Sequence, residues 1–177
     1  MNLREELLSI IRDVPDLPTP GILFRDITPI LENPKVSRAV VSEMMHQLEG
    51  MKIDAVAGIE SRGFLFGLPL AMEMNVPFIA IRKKGKLPAE TVEYSYDLEY
   101  GSATIEMHRG VVEPGMNVLI HDDLLATGGT AVASRELIHL EGGAVAGFSF
   151  LIELKGLLGR ERLAETDKPI LSVVDYD

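Results

Sequence analysis

The sequence holds no cysteine among its 177 residues. Disulfides, thiolate zinc sites and a cysteine nucleophile are excluded, and a reducing compartment fits. It also lacks an excess of cations. Seventeen lysines and arginines face 27 aspartates and glutamates, a formal net charge of −10, so a global basic footprint for nucleic acid is absent. No apolar run approaches the roughly 20 residues of a membrane helix. The opening Met1-Asn2-Leu3-Arg4-Glu5-Glu6 has no apolar core of a secretion signal. There is no internal repeat and no low-complexity stretch. The four histidines, at positions 46, 108, 121 and 139, lack metal-ligand spacing and read as structural. A P-loop is missing, and Gly142, Gly143 and Gly147 precede a strand rather than follow one, so they make no dinucleotide fingerprint. With 46% apolar residues, the expectation is a soluble, cytoplasmic chain with a sizeable core, one domain over residues 1–177, binding neither membrane nor nucleic acid.

Apolar spacing then orders the chain. Leu3, Leu7, Leu8, Ile10, Ile11 and Val14 fall near a 3.6-residue period, so a first helix is expected, capped by Asn2 with Glu5 three residues on and stopped by Pro15. Residues 16–29 read as ordered loop. Asn33-Pro34 opens a second helix through Leu48. Residues 53–59 read as a buried strand, 63–74 as a helix bent at Pro69, and 77–81 as a strand, a βαβ unit. Val92, Tyr94, Tyr96, Leu98 and Tyr100 alternate with Glu93, Ser95, Asp97 and Glu99, and Ala103, Ile105 and Met107 supply a return strand. That period of two predicts a hairpin arm over about residues 83–108. Strands at 118–121, 145–154 and 170–174 alternate with helices at 131–140 and 156–164. The fold class is therefore α/β, with a mostly parallel central sheet flanked by helices.

The strongest chemical signal is Val118-Leu119-Ile120-His121-Asp122-Asp123-Leu124-Leu125-Ala126-Thr127-Gly128-Gly129-Thr130. It reads as strand, acidic pair, small-residue turn and helix start. Ligands of open α/β sheets bind beyond the carboxyl ends of the strands. A Gly-rich turn there exposes backbone N–H groups at a helix N-terminus, which favours phosphate. Asp122 and Asp123, expected at the strand end, could accept from sugar hydroxyls or hold Mg²⁺ through water. Gly58-Ile59-Glu60-Ser61-Arg62-Gly63-Phe64 repeats the strand–turn–helix pattern, and there Arg62 either binds a second anion or pairs with Glu60. Arg82-Lys83-Lys84-Gly85-Lys86 is a local cationic cluster in an acidic chain, either a solvated run or an anion site. Phe24, in a Pro-bounded loop, reads as a core plug or an aromatic face for a flat ligand. Glu99 reads as a solubilising arm residue.

Residues 118–130 resemble the phosphoribosyl-pyrophosphate signature of the type I phosphoribosyltransferases, departing only at His121, where an apolar residue is usual. Glu60-Ser61-Arg62-Gly63 resembles the pyrophosphate loop of the adenine-specific branch, and Phe24-Arg25-Asp26-Ile27-Thr28-Pro29 its base-binding segment. The motifs occur in that family's order along nearly the whole chain. The resemblance implies the type I phosphoribosyltransferase fold with a small N-terminal hood of about residues 1–33. It also implies transfer from phosphoribosyl pyrophosphate to adenine with Mg²⁺ carried mainly by the substrate, and a homodimer. For the residues it implies a cis peptide at Glu60-Ser61 and pyrophosphate contacts from Glu60, Ser61, Arg62, Gly63, Arg82 and Lys86, the last of these in either subunit's site. Asp122, Asp123, Ala126, Thr127, Gly128, Gly129 and Thr130 would hold the ribose phosphate. Leu23 and Arg25 would give main-chain contacts to adenine and Phe24 would stack on it. Glu99 would handle the purine proton and Tyr100 would close the site. The rivals are another purine base, or a non-catalytic regulator on the same fold, which would want a basic surface that this chain lacks.

Overall fold

A computed structural model describes residues 2–98 and 101–177. Helix α1 spans Leu3–Ile10, and its start follows the sequence. Asn2 Oδ1 accepts from the Glu5 amide at 2.9 Å, and the Glu5 carboxylate accepts from the Asn2 amide at 3.0 Å, a reciprocal cap. The helix does not reach Val14. Strand β1, Arg12–Pro15, pairs antiparallel with β2, Leu23–Asp26, as a separate two-stranded sheet. Residues 16–29 are thus not all loop: they hold β2 and the start of a one-turn helix α2, Thr28–Leu31.

Helix α3, Pro34–Gln47, begins where Asn33 Oδ1 accepts from the Lys35 and Val36 amides. Strand β3, Ala55–Ile59, is followed by α4, Gly63–Met74, with Pro69 inside it, and by β4, Phe78–Lys83. The arm is β5, Thr91–Leu98, paired antiparallel with β6, Gly101–His108. Then come β7, Asn117–Leu125, α5, Gly129–Leu140, and β8, Ala144–Leu154. A single 3₁₀ turn, α6 (Gly159–Ala164) and β9 (Ile170–Tyr176) complete the order.

Seven strands form the main sheet in the order β5-β6-β4-β3-β7-β8-β9. Pairing is parallel from β4 through β9 and antiparallel where β6 joins β4. Alternation divides the core. Ala55, Ala57 and Ile59 of β3 face the layer that contains Leu137 and Ile138 of α5. Val56 of the same strand faces Val40 and Met44 of α3 and Leu70 of α4. Each large apolar side chain so buried contributes about 1.5–3 kcal/mol. Among the described residues, no helix is long and apolar enough to cross a membrane.

Two features of the sheet make the site. From β3 the chain moves outward to β4, and from β7 it moves the other way to β8, so β3 and β7 flank the point where strand order reverses. Helices α4 and α5 leave these strands toward opposite faces, which opens a crevice between their N-termini. Strand β7 also runs past its expected end at His121 and carries both aspartates. Its pairing with β3 stops at His121 opposite Gly58, but pairing with β8 continues through Asp122, Leu124 and Leu125. The acidic pair therefore sits in a strand with one edge open.

Candidate active site

The turn after β7 is built on backbone. Gly128 adopts φ +76°, a left-handed conformation that a side chain disfavours, and α5 starts directly after it. No side chain caps α5, so its first amides have no side-chain acceptor. Asp122 and residues 126–130 contribute to the lining of a hollow of about 80 Å³ over this terminus. A helix N-terminus of this kind attracts a dianion through N–H groups and dipole together.

The turn after β3 is built on ions. The Glu60–Ser61 peptide is cis. Arg82 Nη2 donates to Glu60 Oε1 at 2.8 Å, the Lys83 amide donates to Glu60 Oε2 at 3.1 Å, and Arg82 Nη1 donates to the Lys86 carbonyl at 2.7 Å. The Arg82 hydrogen bond holds the Glu60 carboxyl below its usual pKa, with help from Arg82 and Lys86 as nearby charges. The Lys86 side chain is exposed. Gly63 lets this turn touch β7: a Cβ there would lie 2.9 Å from the His121 carbonyl and 3.0 Å from Asp122 Oδ1.

Arg62 joins the parts. Its Nε lies 3.0 Å from Asp123 Oδ2, an ion contact off the hydrogen-bond direction that leaves that oxygen unbonded. Its Nη1 donates to the Arg25 carbonyl at 3.2 Å, and its guanidinium lies 4.6 Å from the centre of the Phe24 ring. Arg62 is therefore not Glu60's partner; Arg82 is. Asp122 Oδ1 accepts from the Asp123 amide at 2.8 Å. Asp122 keeps some exposed surface but is packed round by protein. Burial, and then the charge of Asp123, push its carboxyl well above the ordinary range. Burial raises Asp123 as well, against the pull of Arg62.

The sequence matches the phosphoribosyl transferase domain over residues 27–175. The adenine phosphoribosyltransferase of Cytophaga hutchinsonii is 51% identical over 98% of this chain and 96% of its own length. That of Thermobifida fusca is 51% identical over 93% of each. Among solved structures, the adenine phosphoribosyltransferase of Thermoanaerobacter pseudethanolicus superposes with a TM-score of 0.95 at 46% identity, covering 99% of this chain and 100% of that one. The Giardia lamblia enzyme complexed with 9-deazaadenine gives 0.93 at 36% identity, covering 100% and 99%. The chain belongs to the adenine phosphoribosyltransferase family.

In this family member the candidate residues converge from four segments. Leu23, Phe24 and Arg25 lie on β2, Glu60 to Gly63 at the start of α4, Arg82 and Lys86 at and after the end of β4, and Asp122 to Thr130 on β7 and its turn. Leu23 is 44% exposed and Phe24 half-buried, so Phe24 is no core plug. The Arg25 side chain turns away, ion-paired with Asp13 and stacked 3.8 Å from the centre of the Tyr176 ring, so only its backbone faces Arg62. Glu99 and Tyr100 lie outside the described residues. One contact went unread: Tyr96 of the arm places its hydroxyl 2.9 Å from Thr130 Oγ1. Its alternation with Asp97 marked a strand face, but nothing local identified a partner on α5. No group of three or more His, Asp or Glu side chains able to hold a metal occurs among the described residues. A hollow of about 800 Å³ between α3 and α4 shares none of these side chains.

Proposed function

We propose that the chain transfers the phosphoribosyl group of phosphoribosyl pyrophosphate to adenine, giving AMP and pyrophosphate, a purine-salvage reaction. The observation that carries this reading is Arg62. It links the base segment, through Phe24 and the Arg25 carbonyl, to Asp123 beside the phosphate turn. This occurs in a chain about half identical to adenine phosphoribosyltransferases along nearly its full length. We read residues 1–177 as one domain, with a base-binding segment of about 1–33 and an arm of about 83–108.

In the reaction a ring nitrogen of adenine bonds to the anomeric carbon of ribose, the bond to pyrophosphate breaks, and the nitrogen loses its proton. Ala126, Thr127, Gly128, Gly129 and Thr130 anchor the 5′-phosphate. Asp122 and Asp123 accept from the ribose hydroxyls. Burial disfavours their ionised forms, and the positive charge that develops on the ribose ring favours them. Their interaction therefore strengthens toward the transition state. Glu60, Ser61 and Gly63 shape the pyrophosphate corner. Arg62 and Arg82 receive the leaving pyrophosphate by exchanging carboxylate partners for phosphate oxygens, and Lys86 adds a third positive charge. Leu23 and Arg25 address the purine through the main chain. Phe24, backed by Arg62 on one face, offers the other to the base. Glu99 takes the proton, and Tyr100 closes the arm against water.

Two adjacent carboxylates in the crevice, Asp122 and Asp123, fit Mg²⁺ held chiefly by substrate oxygens, with both acting through water. When bound, the ion offsets pyrophosphate charge. A homodimer belongs to the same reading, supported by the exposed Leu65, Leu68 and Met72 along α4. So does a cytoplasmic location. The test is incubation with adenine, phosphoribosyl pyrophosphate and Mg²⁺. AMP should form, and adenine should be preferred over hypoxanthine by about a hundredfold, because the wrong exocyclic group leaves buried polar partners unpaired. No AMP refutes the reading, and equal use of both bases refutes its specificity.

A further inference from the structure

The phosphate turn has no cation of its own. From Val118 to Ser134 the sequence contains neither Lys nor Arg, and it contains Asp122 and Asp123. A dianion on the α5 N-terminus would meet backbone amides and hydroxyls with two carboxylates nearby. The structure supplies a guanidinium from elsewhere. A Cβ built on Gly129 would lie 3.4 Å from Arg162 Nη1, 3.8 Å from Thr127 Oγ1 and 3.9 Å from Tyr96 Cε2. Two segments distant in sequence, the arm and α6, thus meet Thr127 of the turn on the same side of Gly129.

Arg162 is held there by construction. The start of α6 rests on the turn, backbone against backbone: a Cβ on Gly159 would lie 2.2 Å from the Ala126 carbonyl, and one on Gly128 3.0 Å from the Gly159 carbonyl. Arg160 pins the same helix from behind, donating to both oxygens of the buried Glu153 at 2.7 and 2.5 Å and to the Ile170 carbonyl at 2.9 Å. Residues two apart on a helix point to opposite sides. With Arg160 committed to β8 and β9, Arg162 is turned toward Gly129. Arg160, Arg62 and Arg82 each have a carboxylate partner, whereas Arg162 is exposed and has none among the described residues.

We propose that Arg162 is a binding residue for the 5′-phosphate of the sugar-phosphate substrate and of the nucleotide product. This rests on the phosphoribosyl-transfer reading above. A planar guanidinium beside a helix N-terminus engages phosphate oxygens in pairs and stays charged at every relevant pH.

The experiment measures binding of AMP and of adenosine, which lacks the phosphate, to wild type, Arg162→Met and Arg162→Lys. Arg162→Met should weaken AMP about tenfold and leave adenosine unchanged, with Arg162→Lys in between. KM for phosphoribosyl pyrophosphate should rise in parallel while kcat stays within about twofold. AMP affinity within twofold of wild type in Arg162→Met overturns the inference. Equal losses for AMP and adenosine also overturn it, because they report a distorted site rather than a lost phosphate contact. These outcomes apply to a wild-type protein that makes AMP; a wild type that makes none overturns the reading beneath.

Discussion

The turn after β7 and the turn after β3 lie side by side, and they are equipped for anions by different means. The first offers amides that no side chain caps, around a glycine at φ +76°. The second offers cations that already have partners: Arg82 on Glu60, and Arg62 on Asp123. An anion entering the first breaks no ion pair described in the structure. An anion entering the second must displace carboxylates, which weakens intrinsic binding but keeps the charges from repelling one another while the site is empty. The same economy suits the chemistry. On the proposed assignment, the first corner holds the 5′-phosphate, which stays bound throughout, and the second holds the pyrophosphate, which has to leave.

This contrast can be broken by substitution, and the largest effect belongs to the backbone-built corner. Gly128→Val would force a side chain into a left-handed conformation and against the Gly159 carbonyl, 3.0 Å from the Cβ position. We expect KM for phosphoribosyl pyrophosphate to rise at least about a hundredfold, as a misplaced anchor does. Binding of free pyrophosphate should change less than about threefold. Equal losses in a binding titration of both ligands would erase the distinction between the corners.

The next effect concerns the strand that links them. His121 is fully buried in β7 and neither ring nitrogen has a hydrogen-bond partner among the described residues. Burial lowers its pKa to about 4, an effect the Ser149 main chain only partly offsets. From pH 6.5 down to 4 the unfolded chain takes up a proton that the folded chain refuses, so folding loses up to about 3 kcal/mol over that window. The raised carboxyls of Asp122 and Asp123 act in the opposite sense, which makes the difference between variants the useful quantity. In urea titrations, His121→Val should gain about 2–3 kcal/mol on wild type between pH 7 and pH 4.5. A gap that does not change with pH would contradict this.

Glu60→Gln reverses the sign expected at the ion-built corner. Removing the carboxylate frees Arg82, and pyrophosphate should bind about three- to tenfold tighter by calorimetry, with AMP unaffected. Weaker pyrophosphate binding would show that Glu60 positions Arg82 rather than competing for it. The smallest effect should come from Tyr96→Phe, which deletes one hydroxyl on Thr130. A single neutral hydrogen bond is worth about 0.5–1.5 kcal/mol, so KM for phosphoribosyl pyrophosphate should rise about two- to tenfold in steady-state assays. No rise would make the contact incidental.

Local chemistry made much of this legible in advance. The Asn2–Glu5 cap, the Asn33-Pro34 start, the alternating arm and residues 118–130 each state their structure within a few positions. What local sequence left wrong or open was settled mostly by pairing at long range. Arg12–Pro15 continues the spacing of α1 through Val14, yet it joins Leu23–Asp26 in a sheet. Strand β7 looked finished at His121, because two aspartates rarely sit inside a strand, but its ladder with β8 carries it to Leu125. Arg62 and Glu60, close in sequence, turned to Asp123 and Arg82 instead of each other. Arg162 lies in an ordinary run, Gly-Arg-Glu-Arg-Leu-Ala, and only the packing of Gly159 reveals what it faces.

That packing also limits how far the signature can travel. Residues 118–130 form one continuous stretch, which invites transplanting them onto another α/β scaffold as a portable phosphate binder. The Ala126 carbonyl, however, is backed by a bare glycine backbone from α6, in a gap where not even a methyl group fits. A graft of the stretch alone would lose that backing and leave the turn free to relax. The transplantable unit is the stretch together with the segment from Leu158 to Leu163 and the Glu153 that anchors Arg160.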